Sequence, residues 1–103
     1  MANNCLEFRD SIGANAKDGA QTSTTALPAN SARTGFQIQN QGTNQLYVYF
    51  GTGASTSVYH FILKAATSAA DGTGGSIAMM DGNVYRGVVT IAGTTPSYSV
   101  LEM

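Results

Sequence analysis

The feature that most constrains the fold is a series of short apolar runs, separated by Gly, Pro and Asn turns, in residues 33–102. The first run alternates with a period of two, since Phe36 and Ile38 are apolar while Gln37 and Gln39 are polar. Because successive side chains of a strand point to opposite faces, this pattern predicts a strand with one buried face. No segment shows the 3.6-residue apolar period of an amphipathic helix, so the sequence predicts an all-β protein.

The later runs predict further strands. After a turn at 41–44, Leu46, Val48 and Phe50 continue the apolar face of the first strand. The run 58–63 is apolar on both faces, which predicts a strand covered on both sides. Short strands joined by turns are typical of an antiparallel β-sandwich or jelly roll. Three more strands are predicted, at 76–80, 84–92 and 97–103.

The N-terminal quarter of the chain has a different composition. Residues 13–26 carry small and polar side chains and no large apolar one, so they contribute little to a core. This composition predicts an extended arm. The residues before them contain one apolar patch, Leu6, Phe8 and Ile12, which we take as a candidate contact with another subunit. The expected organisation is an N-terminal arm, residues 1–26, followed by a β-sandwich domain, residues 27–103.

Charge is scarce in this chain. Charged residues make up 11% of the sequence and the net charge is -1, against about 25% charged residues in an ordinary domain. Protein interfaces are depleted in Lys, Glu and Asp, so the composition favours a protein that works inside an assembly over a monomer with a Ser, Thr and Gln surface. The basic residues form no run or stripe, and we expect no nucleic-acid partner. No apolar run approaches the ~18 residues of a membrane helix, and we expect no membrane partner.

Residues suited to catalysis or metal binding are few. The chain has one histidine, one cysteine and no tryptophan. His60 shares a predicted face with Val58 and Ile62, which favours a hydrogen-bonded structural histidine over a pH-sensitive contact. The aspartates precede Gly or Ser as turn aspartates do, without calcium-loop spacing, and the glycine-rich segment 71–75 lacks the Lys of a phosphate-binding loop. We therefore expect no enzyme, no cofactor and no metal site.

Three tyrosines form the most informative polar and aromatic pattern. Tyr47 and Tyr49 point away from the predicted apolar face of their strand, and Tyr59 lies in the next predicted strand. A solvated sheet face usually carries Lys, Glu or Thr at such positions, so aromatic rings there predict contacts. Three interpretations are open: packing within the chain, a subunit interface, or a platform that binds carbohydrate.

The stretch 27–102 resembles small virion proteins of tailed bacteriophages, of the capsid decoration or cement type. The resemblance is carried by five segments: Arg33-Thr-Gly-Phe-Gln-Ile-Gln-Asn40 with the Gln-Gly-Thr-Asn turn that follows, Leu46-Tyr-Val-Tyr-Phe-Gly51, Phe-Ile-Leu63, Tyr85-Arg-Gly-Val-Val89 and Tyr98-Ser-Val-Leu-Glu102. It implies a jelly-roll-like sandwich, homotrimers bound to the major capsid protein on the capsid surface of the virion, and an N-terminal arm that reaches neighbouring subunits. It assigns no site residues.

Two rival functions fit similar patterns. One is a tail or head-fibre-associated adaptor, and the other is a carbohydrate-binding β-sandwich module that uses the three tyrosines. The start Met-Ala-Asn-Asn-Cys lacks the basic flank and apolar stretch of a signal peptide, so we expect synthesis in the host cytoplasm.

Overall fold

The computed structural model of the chain describes residues 14–17, 23–80 and 82–102. These residues form β-strands and no helix, so the described part has no helix long and apolar enough to cross a membrane. The eight strands are β1 (Ala14–Lys17), β2 (Ser23–Leu27), β3 (Phe36–Asn40), β4 (Leu46–Phe50), β5 (Phe61–Leu63), β6 (Ser76–Met79), β7 (Val89–Ala92) and β8 (Tyr98–Glu102).

The strands form two antiparallel sheets whose pairing is nested along the chain. The first sheet has the order β1-β8-β3-β6 and the second has the order β2-β7-β4-β5. The first strand pairs with the eighth, the second with the seventh, the third with the sixth and the fourth with the fifth. Two further pairings, β3 with β8 and β4 with β7, complete the sheets. The predicted all-β sandwich is thus confirmed, and β5 and β6 are each an edge strand.

The core lies between the inner faces of the two sheets. Phe36, Ile38, Leu46 and Val48 are completely buried, which confirms the predicted apolar face of β3 and β4. Phe50 is half-buried at one end of this core, where it meets other aromatic rings. The remaining large apolar residues of the core are Leu27, Leu63, Val89, Ile91, Tyr98 and Val100.

Two parts of the chain differ from the sequence prediction. Part of the predicted arm is paired with the sheets, since β1 lies beside β8 and β2 beside β7. Within β2, Ala26 and Leu27 are buried in the core. The predicted strand 84–92 begins only at Val89, because two carbonyl oxygens of the preceding segment accept hydrogen bonds from a buried side chain instead of a strand.

That buried side chain is Arg33, which is 0% exposed. Its Nε donates to Oε2 of Glu102 at 2.9 Å in a salt bridge. Its Nη1 donates to the carbonyl oxygens of Tyr85 at 2.8 Å and Gly87 at 3.0 Å, and its Nη2 donates to that of Pro28 at 2.6 Å. The planar guanidinium therefore connects the end of β8 to the residue that follows β2 and to the segment before β7.

Arg33→Lys should lower the free energy of unfolding by about 3 kcal/mol, because a lysine has one charged nitrogen and cannot reach all four acceptors. Arg86→Lys is the control, since Arg86 is exposed and its Nε donates a single hydrogen bond, to the carbonyl of Arg33. It should cost about 1 kcal/mol or less. Denaturant titration measures both values, and equal losses would show that the buried guanidinium has no special role.

A matched pair of isoleucines tests the assignment of the core. Ile38→Ala should cost about 2 to 5 kcal/mol, because Ile38 is 0% exposed and its truncation leaves a cavity. Ile62→Ala makes the same chemical change at a side chain that is 43% exposed, and should cost about 1 kcal/mol or less. If the two variants unfolded at the same denaturant concentration, the face assignment of β3 would be wrong.

Candidate interaction surface

The three predicted tyrosines lie together on the outer face of the second sheet. Alternation along β4 sends Leu46 and Val48 into the core, and so it sends Tyr47 and Tyr49 to the opposite side. Tyr59 lies in the segment that leads into β5, the strand paired with β4. The residue opposite Tyr47 in that pairing is Ile62.

Each of these tyrosines contacts another ring of the same chain. The centroids of Tyr47 and Tyr59 are 5.1 Å apart with the rings tilted by 60°, and Tyr49 stacks on His60 at 4.7 Å and 18°. Tyr47 and Tyr49 are half-buried, whereas Tyr59 stays 41% exposed. The rings thus support one another without being fully covered. Leu6, Phe8 and Ile12, the other candidate contacts, lie outside the described residues.

His60 is a hydrogen-bonded histidine, as the sequence predicts. Its Nδ1 accepts the backbone N–H of Phe50 at 3.1 Å, and its own backbone N–H donates to the carbonyl oxygen of Val48 at 2.7 Å. These bonds extend the pairing of β4 beyond β5. His60 therefore holds the 58–60 segment against the sheet through both its imidazole and its backbone.

The predicted burial of the 58–63 run is wrong. Val58, Tyr59, Phe61 and Ile62 are 42%, 41%, 41% and 43% exposed, and we call these four residues the apolar edge. They are exposed because β5 is the last strand of its sheet, a position that the local pattern does not reveal. Exposed edge strands usually carry charges that prevent pairing with other chains, yet no residue from 58 to 63 is charged. Exposed apolar residues with no charge among them make this edge a candidate interaction site.

A groove lies beside Tyr47 on the same outer face. Its volume is about 380 Å³, and we call it the tyrosine groove. Loop residues form much of its wall, and one of them comes from the 51–57 loop, which Thr90 holds through hydrogen bonds to Gly51 and Ala54. None of its lining residues is charged: they are Thr43, Asn44, Gln45, Tyr47, Thr56, Ala65 and Thr94. Sequence reasoning missed this groove because its walls come from four separate turns and loops.

In the glycine-rich segment 71–75, the carboxylate of Asp71 accepts hydrogen bonds from neighbouring groups. Asp71 accepts hydrogen bonds from the hydroxyl and the N–H of Thr73 and from the N–H of Ser68. The Thr73 hydroxyl is the main reason that the pKa of Asp71 lies below its ordinary value. Its carboxylate oxygens are thus used within the turn. Across the described ranges, no three His, Cys, Asp or Glu side chains are grouped so that they could hold a metal ion.

Comparison of the chain with protein-family models, with curated proteins and with solved structures finds no match. A function must therefore be argued from the surface itself. Its two distinctive features are the apolar edge and the tyrosine groove.

Proposed function

We propose that this protein is a structural component of a tailed-bacteriophage particle, a decoration or cement protein that binds the major capsid protein as a homotrimer. The observation that carries the proposal is the apolar edge, which stands exposed on a protein with a net charge of only -1. The resemblance of residues 27–102 to capsid decoration proteins is the reason for proposing the major capsid protein as the partner.

The apolar edge offers a partner two kinds of contact. An edge strand presents backbone N–H and C=O groups that can pair with another strand, and the side chains beside it can bury apolar area. Because no charge interrupts residues 58–63, the complementary surface should be apolar and rich in β-structure. A capsid shell presents each of its binding sites many times.

The small size of the apolar edge favours an oligomer over a single copy, and the resemblance to decoration proteins supplies the number three. Four side chains, each less than half exposed, fall short of the roughly 800 Å² per partner that a stable interface buries. A single copy should therefore bind weakly. A trimer presents its apolar edge in three copies, and linked contacts raise the effective concentration of each one on the shell.

The strand pairing supports a jelly-roll form of the sandwich. In a jelly roll an antiparallel ribbon folds back on itself and is then rolled up, so the first strand pairs with the last and the pairing is nested inward. The order β1-β8-β3-β6 and β2-β7-β4-β5 follows that scheme. Jelly rolls recur in viral capsid and lectin domains, which is compatible with the proposal.

Binding to shells tests the proposal directly. The genome that encodes this chain should also encode a major capsid protein, and shells assembled from that protein are incubated with the purified chain. We expect saturable binding at a fixed copy number. Ile62→Lys should lower the affinity at least about tenfold, because a charged head at the apolar edge must lose its hydration on docking. Sedimentation of the shells measures the bound fraction.

Gln37→Lys is the matched control, since Gln37 is an exposed residue on the outer face of the first sheet. It should leave binding unchanged, and both variants should melt within about 3 °C of the wild type. Failure of the wild-type chain to bind shells would overturn the proposal. Association with purified tails in place of shells would favour the adaptor role. Equal affinity of the wild type, Ile62→Lys and Gln37→Lys for shells would show that the apolar edge is not the contact.

A further inference from the structure

The tyrosine groove has a different chemistry from the apolar edge. Six of its seven lining residues carry a hydroxyl or an amide, and none carries a charge. Its volume of about 380 Å³ lies within the range of small-molecule sites, about 300 to 1,000 Å³. The groove therefore has the size and the polarity of a site for an uncharged polar ligand.

Tyr47 gives this groove a fixed aromatic wall. Its ring leans on that of Tyr59, and its hydroxyl donates to Oε1 of Gln45 at 3.1 Å. A ring held at both ends loses little entropy when a ligand packs on it. The negative face of an aromatic ring attracts the polarised C–H groups that line one side of many sugar rings.

Hydrogen-bonding groups around the ring are only partly used. Because Oε1 of Gln45 accepts the Tyr47 hydroxyl, the amide nitrogen of Gln45 is left to donate, and it has no acceptor within the described residues. Nδ2 of Asn44 donates to the carbonyl of Thr94 at 3.2 Å and to Oγ1 of Thr95 at 3.4 Å. Its Oδ1 is thereby fixed as an acceptor, and no described group donates to it. Donors and acceptors thus lie close to an aromatic face.

From this arrangement we infer that the tyrosine groove binds a neutral saccharide. Phosphates and acidic sugars need a positive side chain, which the lining lacks. A purely apolar ligand would leave Oδ1 of Asn44 and Nε2 of Gln45 without partners, which costs free energy. A neutral sugar satisfies both requirements, because its C–H face packs on Tyr47 while its hydroxyls exchange hydrogen bonds with the amides and threonines.

Saccharide binding can be tested separately from the proposed attachment to shells. Tyr59 belongs to the apolar edge and also supports Tyr47, whereas the lining residues of the groove lie outside the apolar edge. The isolated chain is therefore sufficient for the test. A failure to bind sugars would leave the shell-binding proposal standing, and a failure to bind shells would leave this one standing.

The experiment is a titration of the isotope-labelled full chain, followed by NMR, with neutral oligomers of glucose, galactose, mannose and N-acetylglucosamine and with an oligomer of galacturonic acid. We expect at least one neutral oligomer to bind with a Kd of about 1 mM or tighter. The backbone amide signals of Asn44, Gln45, Tyr47 and Thr56 should shift.

Variants of the groove then separate the contribution of the Tyr47 ring to the affinity from that of the Gln45 amide. Tyr47→Ala should weaken binding at least about tenfold, while Tyr47→Phe, which keeps the ring, should retain most of the affinity. Gln45→Ala should also weaken binding, and Gln37→Ala on the other sheet, the same chemical change, should have no effect. The inference is overturned if no neutral oligomer shifts these signals at about 10 mM, or if only the acidic oligomer binds. It is also overturned if folded Tyr47→Phe binds as weakly as Tyr47→Ala while folded Gln45→Ala binds as tightly as the wild type.

Discussion

The buried guanidinium of Arg33 is the interaction on which the rest of the sandwich depends. It comes just before β3 and connects Glu102 of β8, in the first sheet, to the carbonyl of Pro28, which follows β2 of the second sheet. Without it, backbone carbonyls near the core would lose their donors, which is costly in a buried setting. The opposite end of β3 also has a buried polar side chain. Asn40 is 1% exposed, and its side chain forms hydrogen bonds only with backbone groups. The apolar core thus lies between two polar connections at the ends of one strand.

Asn40 also links the fold to both candidate surfaces. Its Nδ2 donates to the carbonyl oxygens of Leu63 and Lys64, which fixes the end of β5 and with it the apolar edge. The same nitrogen donates to the carbonyl of Asn44, in the turn that forms one wall of the tyrosine groove. Hydrogen bonds within the chain thus support both surfaces. A preorganised surface loses less entropy on binding, which suits contacts that individually bury little area.

The period-two pattern predicted β3, β4, β6 and β8 closely, because along each of these strands more buried side chains alternate with less buried ones. It missed β1 and β2, whose pairing uses backbone groups that any small residue supplies. The same pattern correctly placed Tyr47 and Tyr49 on the face opposite the core. It wrongly predicted that the residues of the apolar edge are buried. Whether an apolar strand is central or last in its sheet depends on pairing with distant residues, which a local pattern does not contain. The groove was missed for the same reason, since its walls meet only in the folded chain.

The central claim is that the apolar edge is a contact with a capsid shell. The claim implies that a phage encodes this chain, and electron cryomicroscopy of purified particles of that phage is the direct test. We expect sandwich-shaped density at a fixed copy number on the shell, with Val58, Phe61 and Ile62 buried against the major capsid protein. Particles that lack the chain, or copies that touch the shell through the outer face of the first sheet while the apolar edge faces solvent, would contradict the proposal.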